Sequence, residues 1–327
     1  MLNYAIKRII LMIPTLLGIT LVSFAVIHLA PGDPTDMVTS LNPQASQQAQ
    51  IRLRELYGLD KPIHIQYWNW LKNLVRLDLG RSFSSDSRLV KDKIFERLPV
   101  TLALNIASMA IILALSLPLG LWAATRAGGW FDRMTTVFVF ICFAAPSFWL
   151  ALLGMGLFGA RLGWLPISGL TSLDFHSMGF WDKALDLGRH LLMPVIISSL
   201  GGLAGLSRYL RSNTLEIIRQ DYLNTARAKG LSERVVLWKH ALRNALIPVI
   251  TILGLSVPGL IGGSIIMESI YAIPGLGQLF YGAIMSRDYP VIMGGLVIGA
   301  VLTLIGNLLA DLGYALVDPR VRDAAFR

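Results

Sequence analysis

Two carboxylates lie inside strongly apolar stretches of this 327-residue chain, where an ionisable group is a candidate for acid–base chemistry. Glu268 stands near the end of the stretch Ala245–Ile270, and Asp311 belongs to the last apolar stretch. As a pair they would suit an enzyme, but their segments would place them at opposite ends of a membrane. Glu268 would otherwise contact a ligand's amino group, pair with Arg287 or cap a helix, and Asp311 has Arg320 as a possible partner.

The remaining residues suited to chemistry predict neither catalysis nor metal binding. The sequence contains no G-x-x-x-x-G-K-[ST] phosphate loop, no H-E-x-x-H and no G-x-S-x-G. His190 and His240 have no second His or Cys at ligand spacing, and His190 is expected to be a satisfied interfacial histidine. The single cysteine, Cys142, excludes a disulfide within the chain. We expect no catalytic residue, no metal ligand and no cofactor bound by this chain.

The elements that position these residues are apolar helices. Hydrophobic residues make up 54% of the chain, charged residues only 15%, and the mean hydropathy is +0.59. A bilayer core about 30 Å thick needs roughly twenty apolar residues per helix. Six segments meet that length: Ile9–Ala30, Thr101–Thr125, Thr135–Gly159, His190–Leu210, Ala245–Ile270 and Val291–Leu316. The sequence therefore predicts an all-α membrane protein with six transmembrane helices.

The first segment is expected to stay as an anchor rather than to be cleaved as a signal peptide, because it is long and has bulky His28 near its end. Pairs of glycines four residues apart in later segments predict close helix packing. These pairs are Gly201 and Gly205, Gly259 and Gly263, and Gly295 and Gly299.

The net charge of +9 is distributed in a way that indicates orientation rather than nucleic-acid binding. Fifteen Lys and Arg residues lie on one side of the six segments, against four in the short loops of the other side. Because Lys and Arg are retained inside the cell, both termini should be cytoplasmic.

The long segment 31–99 is the predicted extramembrane insertion, with ten cations and eight acids. Tyr67, Trp70, Leu71 and Leu74 have helical spacing, which predicts an amphipathic helix. Trp68 and Trp70 would form either a ligand-stacking platform or an interfacial belt or small core. The predicted division is 1–30 for the N-terminus and first helix, 31–99 for the insertion and 100–327 for a core of five helices.

A basic loop, residues 212–243, joins the fourth and fifth segments and is longer than a hairpin needs. Leu215, Ile218, Tyr222 and Ala226 recur at helical spacing and predict one apolar stripe. Gly230 suits a helix end, and Ser232 with Glu233 suits the next helix start. The loop would either grip a soluble partner or lie on the anionic leaflet.

The stretch Asn224-Thr225-Ala226-Arg227-Ala228-Lys229-Gly230 resembles the "EAA…G" coupling loop of binding-protein-dependent ABC importer permeases. DYLNTARAKGL followed by HALRNALIPV is similar to the dipeptide/oligopeptide/nickel branch. Asn224 and Thr225 replace the general Glu-Ala, and Pro248 comes five residues later than in the general pattern. PGDP from Pro31, DLGRS from Asp78 and MESIYAIPGLGQL from Met267 extend the resemblance over nearly the whole chain, and they match the first permease of such a pair.

The resemblance implies the type I ABC importer permease fold with a periplasmic insertion after the first helix. It implies that the basic loop couples the permease to an ATPase through Leu215, Tyr222, Asn224, Thr225, Ala226, Ala228 and Gly230. A substrate pathway or gate is implied at Glu268, Pro274, Gly275 and Gly277, although the last three would also make a plain turn.

The implied partners are a second homologous permease, two ABC ATPases that bind ATP and Mg²⁺, a periplasmic or lipid-anchored solute-binding protein and membrane lipid. The implied activity is import of dipeptides or oligopeptides across the bacterial inner membrane by alternating access. Nickel chelates, glutathione and opines are alternative solutes within the same class. A membrane-embedded enzyme is the alternative from another class.

Overall fold

The computed structural model describes residues 2–29, 51–52, 54–55 and 58–317, and within them the regular structure is helical. The α-helices are α1 Leu2–Leu29, α2 Ile63–Val75, α3 Val90–Thr125, α4 Trp130–Ala144, α5 Ser147–Gly154, α6 Phe180–Ile218, α7 Asp221–Ala228, α8 Glu233–Val235, α9 Leu242–Ala245, α10 Ile247–Ser256, α11 Ile265–Ile270, α12 Leu276–Met285 and α13 Tyr289–Val317. Met155–Arg161 and Val236–Ala241 are π-helical, and Phe175–Ser177 and Val257–Leu260 are 3₁₀ turns. The all-α prediction is confirmed for this part of the chain.

Four of these helices, α1, α3, α6 and α13, are long and apolar enough to cross a membrane. Helix α6 is the longest with 39 residues, which corresponds to roughly 58 Å at 1.5 Å per residue. It therefore extends well beyond a hydrocarbon core of about 30 Å. Its last residues, 212–218, belong to the basic loop.

The third predicted segment, Thr135–Gly159, is not one straight helix. Helix α4 ends at Ala144, and α5 with its π-helical continuation to Arg161 turns away from it by 95°. Pro146 lies at the break because it lacks a backbone N–H and keeps Ala145 extended, with ψ of 124°. The pair is either a broken span or a re-entrant loop.

The fifth predicted segment, Ala245–Ile270, is not one continuous helix either. Helix α10 ends at Ser256, a 3₁₀ turn containing Pro258 follows, and α11 begins at Ile265. Gly263 between them has a φ of +66°, a backbone conformation that side chains disfavour. Proline and glycine therefore divide the apolar run. The described residues contain four candidate spans, or five with the bent pair.

Close packing of α3 against α6 forms the centre of the bundle. A Cβ added to Gly120 would lie 2.6 Å from Leu210 Cβ, and one added to Gly202 would lie 2.4 Å from Ile112 Cδ1. These two glycines allow the backbones to approach. The predicted pair Gly201 and Gly205 does not, because neither has a neighbour within 4 Å of an added Cβ.

The predicted amphipathic helix of the insertion is α2, which packs across the end of α1. Tyr67 Oη and Thr20 Oγ1 are 3.1 Å apart, and His28 Nε2 lies 3.2 Å from Gln66 Oε1. Most other apolar side chains of α1 are exposed, including Ile9 and Val22. Helix α1 otherwise packs mainly against α13.

Candidate functional site

The basic loop folds as a short helix, a glycine turn and a second helical segment. Helix α6 ends at Ile218, α7 runs over Asp221–Ala228, and α8 begins at Glu233. Gly230 has a φ of +79°, so the glycine turn predicted from the sequence is confirmed. Ser232 occupies the N-cap position of α8, and Glu233 is the acid in its first turn.

The apolar stripe of the loop differs from the predicted one because the chain breaks at Arg219 and Gln220, which changes the register between α6 and α7. The buried residues are Ile217, Leu223, Ala226, Val236, Ala241 and Ala245, with Ile218 packed against them. Leu215 is only half-buried and Tyr222 is exposed. The core of the loop therefore joins α7 to the segment that leads into α10.

The outer face of α7 is open to solvent. Of the predicted coupling residues, five are exposed: Tyr222, Asn224, Thr225, Ala228 and Gly230. All five side chains are uncharged and all except Tyr222 are small, although Asp221 and Lys229 flank them. A surface of this shape lets a partner approach the helix backbone closely.

Polar contacts hold α7 in place. Arg227 Nε donates to Glu233 Oε1 at 2.8 Å, which ties α7 to α8 across the glycine turn. Asn244 Nδ2 donates to Tyr222 Oη at 2.7 Å, which ties α7 to α9. Displacing α7 would therefore also displace the helices that follow it.

Glu268, the first carboxylate singled out from the sequence, is 1% exposed and joins three parts of the chain. Its Oε1 accepts hydrogen bonds from Thr101 Oγ1 at 3.1 Å and from Ser264 N at 3.3 Å. Its Oε2 accepts from Gln278 N at 2.8 Å, in the first turn of α12. Of the predicted alternatives, the carboxylate therefore takes the helix-capping role.

Glycines make room for this carboxylate. A Cβ on Gly275 would lie 2.4 Å from Glu268 Cδ, and one on Gly277 would lie 2.9 Å from Oε2. Gly263 is equally confined, since its Cβ would meet Gly277 N at 2.6 Å. Pro274 directly precedes this tight turn. The predicted gate residues thus form one packed unit with Glu268.

Asp288 is another buried carboxylate, and it caps the start of α13. Its Oδ1 accepts from Phe83 N at 3.0 Å and from Val291 N at 3.4 Å. Ser82 Oγ donates to its Oδ2. Asp288 is 3% exposed, so this contact fixes the segment before α3 against the start of α13.

Lys93 extends the Ser82 contact into a network. Its Nζ donates to Ser82 Oγ at 2.8 Å and to Ser84 Oγ at 2.6 Å, and lies 2.8 Å from Asp86 Oδ1. The hydrogen bond from Lys93, helped by Ser84, lowers the pKa of Asp86 to about 2. We name Ser82, Ser84, Asp86, Lys93 and Asp288 the polar latch.

Neither Thr101 nor any residue of the polar latch stands out in the sequence by its type or spacing. Ser82 ends the string DLGRS, and Asp288 lies 206 positions further along the chain. Thr101 is 167 positions from Glu268. Only the packing of helices distant in sequence brings these residues together.

The two tryptophans of the insertion have different environments. Trp70 packs with Phe24 and Tyr67 at ring-centroid distances of 6.4 and 6.2 Å, which favours the small aromatic core over a stacking platform. Trp68 is exposed, with Lys72 Nζ 5.5 Å from its ring centroid.

A cavity of about 540 Å³ lies beside this aromatic core. It opens between the end of α1, helix α2 and the start of α13, and it is lined among others by Phe24, His28, Asn69, Trp70, Asn73 and Tyr289.

The histidines form no metal site in the part of the chain that the structure describes. His190 is buried, and its Nδ1 lies 2.8 Å from the carbonyl oxygen of Asp186, as expected for a satisfied histidine. No group of three or more His, Cys, Asp or Glu side chains that could hold a metal occurs among the described residues. The side chain of Asp311 lies outside them.

Comparison with known proteins identifies the chain. A family model described as the inner membrane component of binding-protein-dependent transport systems matches residues 116–323, and a model of the N-terminal part of such components matches residues 1–105. The oligopeptide transport system permease protein AppB of Bacillus subtilis is 44% identical over 97% of this chain and 98% of its own. The dipeptide transport system permease protein DppB of Alkalihalophilus pseudofirmus is 38% identical over 98% of this chain and 100% of its own.

Among solved structures, the inward-facing MetNI methionine ABC transporter in its CY5 native crystal form matches with a TM-score of 0.54 and 18% identity. The match covers 69% of this chain and 96% of that one. The fold is therefore that of a type I ABC importer permease. The chain belongs to the family of binding-protein-dependent transport system inner membrane components, and it is an integral permease subunit rather than a catalytic one.

Proposed function

We propose that this chain is one of two permease subunits of an ATP-driven peptide importer and that α7 docks into its ATPase. The observation that carries the proposal is the exposed, uncharged face of α7 on a helix tied through Leu223 and Ala226 to a buried core. The resemblance of residues 224–230 to an ATPase-coupling loop supports it. A second permease, two ATPases, a solute-binding protein and lipid complete the assembly.

The proposed topology has six spans. The bent pair α4–α5 is one span, and α10 with α11 forms another that is interrupted by Pro258 and Gly263. The charge bias along the sequence supports cytoplasmic termini and a cytoplasmic basic loop. Residues 31–99 are then the periplasmic insertion, and the polar latch lies at the periplasmic end.

ATP and Mg²⁺ bind the partner ATPases in this proposal, and the permease converts their movement into alternating access. A displacement of α7 is passed to α9 through Tyr222 and Asn244, and to α10 through the loop core around Val236 and Ala245. Such packed elements move between discrete arrangements rather than deform continuously. The solute path lies between the two permeases.

The unit around Glu268 is proposed as the outer gate. Gly275 and Gly277 hold the start of α12 against Glu268, and Thr101 links that unit to α3. Glu268 is hydrogen-bonded both to Thr101 on α3 and to Gln278 on α12. The turn between α11 and α12 should therefore move as one rigid unit when α3 shifts.

The proposed solutes are dipeptides or oligopeptides. The support is the similarity to permeases named for oligopeptide and dipeptide transport over nearly full length. Nickel chelates, glutathione and opines are the alternatives within the class, and binding to the partner solute-binding protein distinguishes them. Mass spectrometry of the ligands that co-purify with that protein gives the solute directly.

The docking proposal is tested by a large side chain on α7. Ala228→Trp places an indole on the exposed face of α7, whereas Ala127→Trp makes the same change at an exposed site in the α3–α4 turn. We expect the first variant to lose co-purification of the ATPase and solute-stimulated ATP hydrolysis. We expect the second variant to retain both.

Cysteine cross-linking adds a test that needs no loss of function. Thr225→Cys is exposed on α7, so it should cross-link to the ATPase subunit in membranes. Full assembly of the Ala228→Trp variant together with no cross-link from Thr225→Cys would exclude docking at α7.

A further inference from the structure

A small cavity lies between α3, α4 and α6, and none of the predicted gate residues lines it. Its volume is about 200 Å³, and it is lined by Ala123, Thr135, Thr136, Val139, Phe140, Ser207, Arg208 and Arg211. Phe140 stands ten residues after the start of α4, roughly 15 Å along the helix. The cavity therefore extends along the first turns of α4.

The two arginines of this cavity have different partners. Arg211 Nε and Nη2 donate to the carboxylate of Asp132 at 2.5 and 2.8 Å, which balances its charge. The guanidinium of Arg208 lies 5.3 Å from the Phe140 ring centroid. In the described part of the chain it has no carboxylate within ion-pair distance. One positive charge of the cavity is therefore unbalanced.

The surface around Arg208 is apolar. On α4, Val137 and Ile141 each follow a lining residue in the sequence, are 53% and 62% exposed, and offer an apolar surface beside the cavity. Arg208 is exposed and lies two residues before Leu210, the end of the predicted segment His190–Leu210, so it stands near the level of the lipid head groups. An anion supplied by a lipid would balance its charge. Lipid phosphates are the anions present there, and basic pockets between membrane helices bind such head groups.

The threonine hydroxyl groups of the cavity indicate which other chemical groups the head group of the bound lipid carries. Thr135 Oγ1 and Thr136 Oγ1 each donate to a backbone carbonyl of their own helix at 2.8 Å. Their oxygens are left as hydrogen-bond acceptors. The phosphodiester of a lipid offers them no donor, whereas a glycerol head group offers hydroxyl donors.

We propose that this cavity binds an anionic phospholipid with a hydroxyl-bearing head group, of the phosphatidylglycerol type. Arg208 binds the phosphodiester by charge-assisted hydrogen bonds, and Thr136 accepts from the head-group hydroxyl. The acyl chains lie along Val137 and Ile141. This site depends neither on the transported solute nor on docking at α7.

The test uses the complete importer, titrated with phosphatidylglycerol or phosphatidylcholine and followed by native mass spectrometry. We expect Arg208→Gln to weaken phosphatidylglycerol binding about tenfold, as loss of a charge-assisted contact predicts, and to leave phosphatidylcholine unchanged. The control Arg133→Gln removes an exposed charge from α4 outside the cavity, and it should bind phosphatidylglycerol like the unaltered complex. Arg208→Lys should keep the preference for the anionic lipid in part.

The unaltered complex supplies an independent measurement in case Arg208→Gln does not assemble. A photoactivatable phosphatidylglycerol should label the α4 segment around Val137 and Ile141, and added inorganic phosphate should not prevent it. Competition by inorganic phosphate would show a soluble-anion site and overturn the proposal. So would labelling absent from α4, or cross-linking of this face to the second permease, which would then cover it.

Discussion

Thr101 Oγ1 donates a hydrogen bond to Glu268 Oε1 at 3.1 Å and accepts one from Leu276 N at 2.8 Å. One hydroxyl thus joins α3, the carboxylate of α11 and the first residue of α12. All three groups are buried. Because each would be costly to leave without a partner, Thr101 and Glu268 act as a single structural element.

Replacing Thr101 by valine tests this relationship, since valine keeps the shape and removes the hydroxyl. We expect a loss of about 1–3 kcal/mol of stability, because Leu276 N loses its acceptor and Glu268 loses a donor. Thermal unfolding of the purified complex measures the effect as a lower Tm. The control is Thr303→Val, whose hydroxyl bonds only to Gly299 O within its own helix. Equal shifts for the two variants would contradict the special role of Thr101.

Gly275 provides a steric test of the same unit. Its φ of −105° suits any residue, so Gly275→Ala introduces no backbone strain, but the new Cβ would lie 2.4 to 2.6 Å from the Glu268 carboxyl group. We expect the variant to lose uptake and to show a lowered Tm, at the cost of about 1–3 kcal/mol typical of overpacking.

The matched control lies seven residues further along α12. Gly282 has no neighbour within 4 Å of an added Cβ. Gly282→Ala should therefore be neutral or slightly stabilising, because alanine favours the helix by up to about 1 kcal/mol. Uptake unchanged in Gly275→Ala would show that the turn relaxes and is not a tightly packed gate.

The exposed end of the polar latch, at Asp86, should make the local stability depend on pH. The pKa of Asp86 falls from its ordinary value of 3.8 to about 2 because Lys93 hydrogen-bonds the charged carboxylate. A lowered pKa in the folded state contributes stability above the unfolded pKa, and that contribution is lost as the pH falls from about 4 to about 2. Asp86 is 44% exposed, so solvent screening keeps the contribution small.

We therefore expect hydrogen exchange of the backbone around Ser84–Arg88 to increase between pH 4 and pH 2 beyond the intrinsic change in exchange rate. Asp86→Asn should abolish that excess, because the amide does not titrate in this range. Asp174→Asn alters an exposed aspartate in another loop and should leave the excess in place. A wild-type profile without the excess would contradict the role of the Asp86–Lys93 pair.

The helical class and the long spans could be predicted from the sequence because apolar length is a local property. The same local pattern failed at the third and fifth segments. Pro146 and Pro258 are tolerated inside many membrane helices, and the sequence does not show whether neighbouring groups compensate for the missing N–H. In this chain both positions break the helix.

Some features of the candidate site could likewise be predicted from the local sequence, and others could not. Gly230 could be predicted, because a glycine between two helical patterns indicates a left-handed turn. Of the predicted stripe, Ala226 and Ile218 belong to the loop core, whereas Leu215 and Tyr222 do not, because a break at Arg219 and Gln220 shifts the register. The partners of Glu268 could not be predicted at all, since Thr101 and Gln278 reach it only through packing of distant helices.

The role of the basic loop is best tested at Gly230, where backbone strain and coupling can be separated. Its φ is +79° and an added Cβ has no neighbour within 4 Å, so Gly230→Val adds strain of about 1–2 kcal/mol without a clash. If α7 docks into the ATPase, the reorientation of α7 should lower coupled uptake about tenfold while ATP hydrolysis continues.

Gly128 has a φ of +77° and equally open surroundings, so Gly128→Val adds the same strain at the α3–α4 turn. Uptake and ATP hydrolysis measured in vesicles should separate the two variants, because only the Gly230 variant changes the face offered to the ATPase. Equal loss of uptake in both would mean that strain alone accounts for the effect, and α7 would then have no special part in coupling.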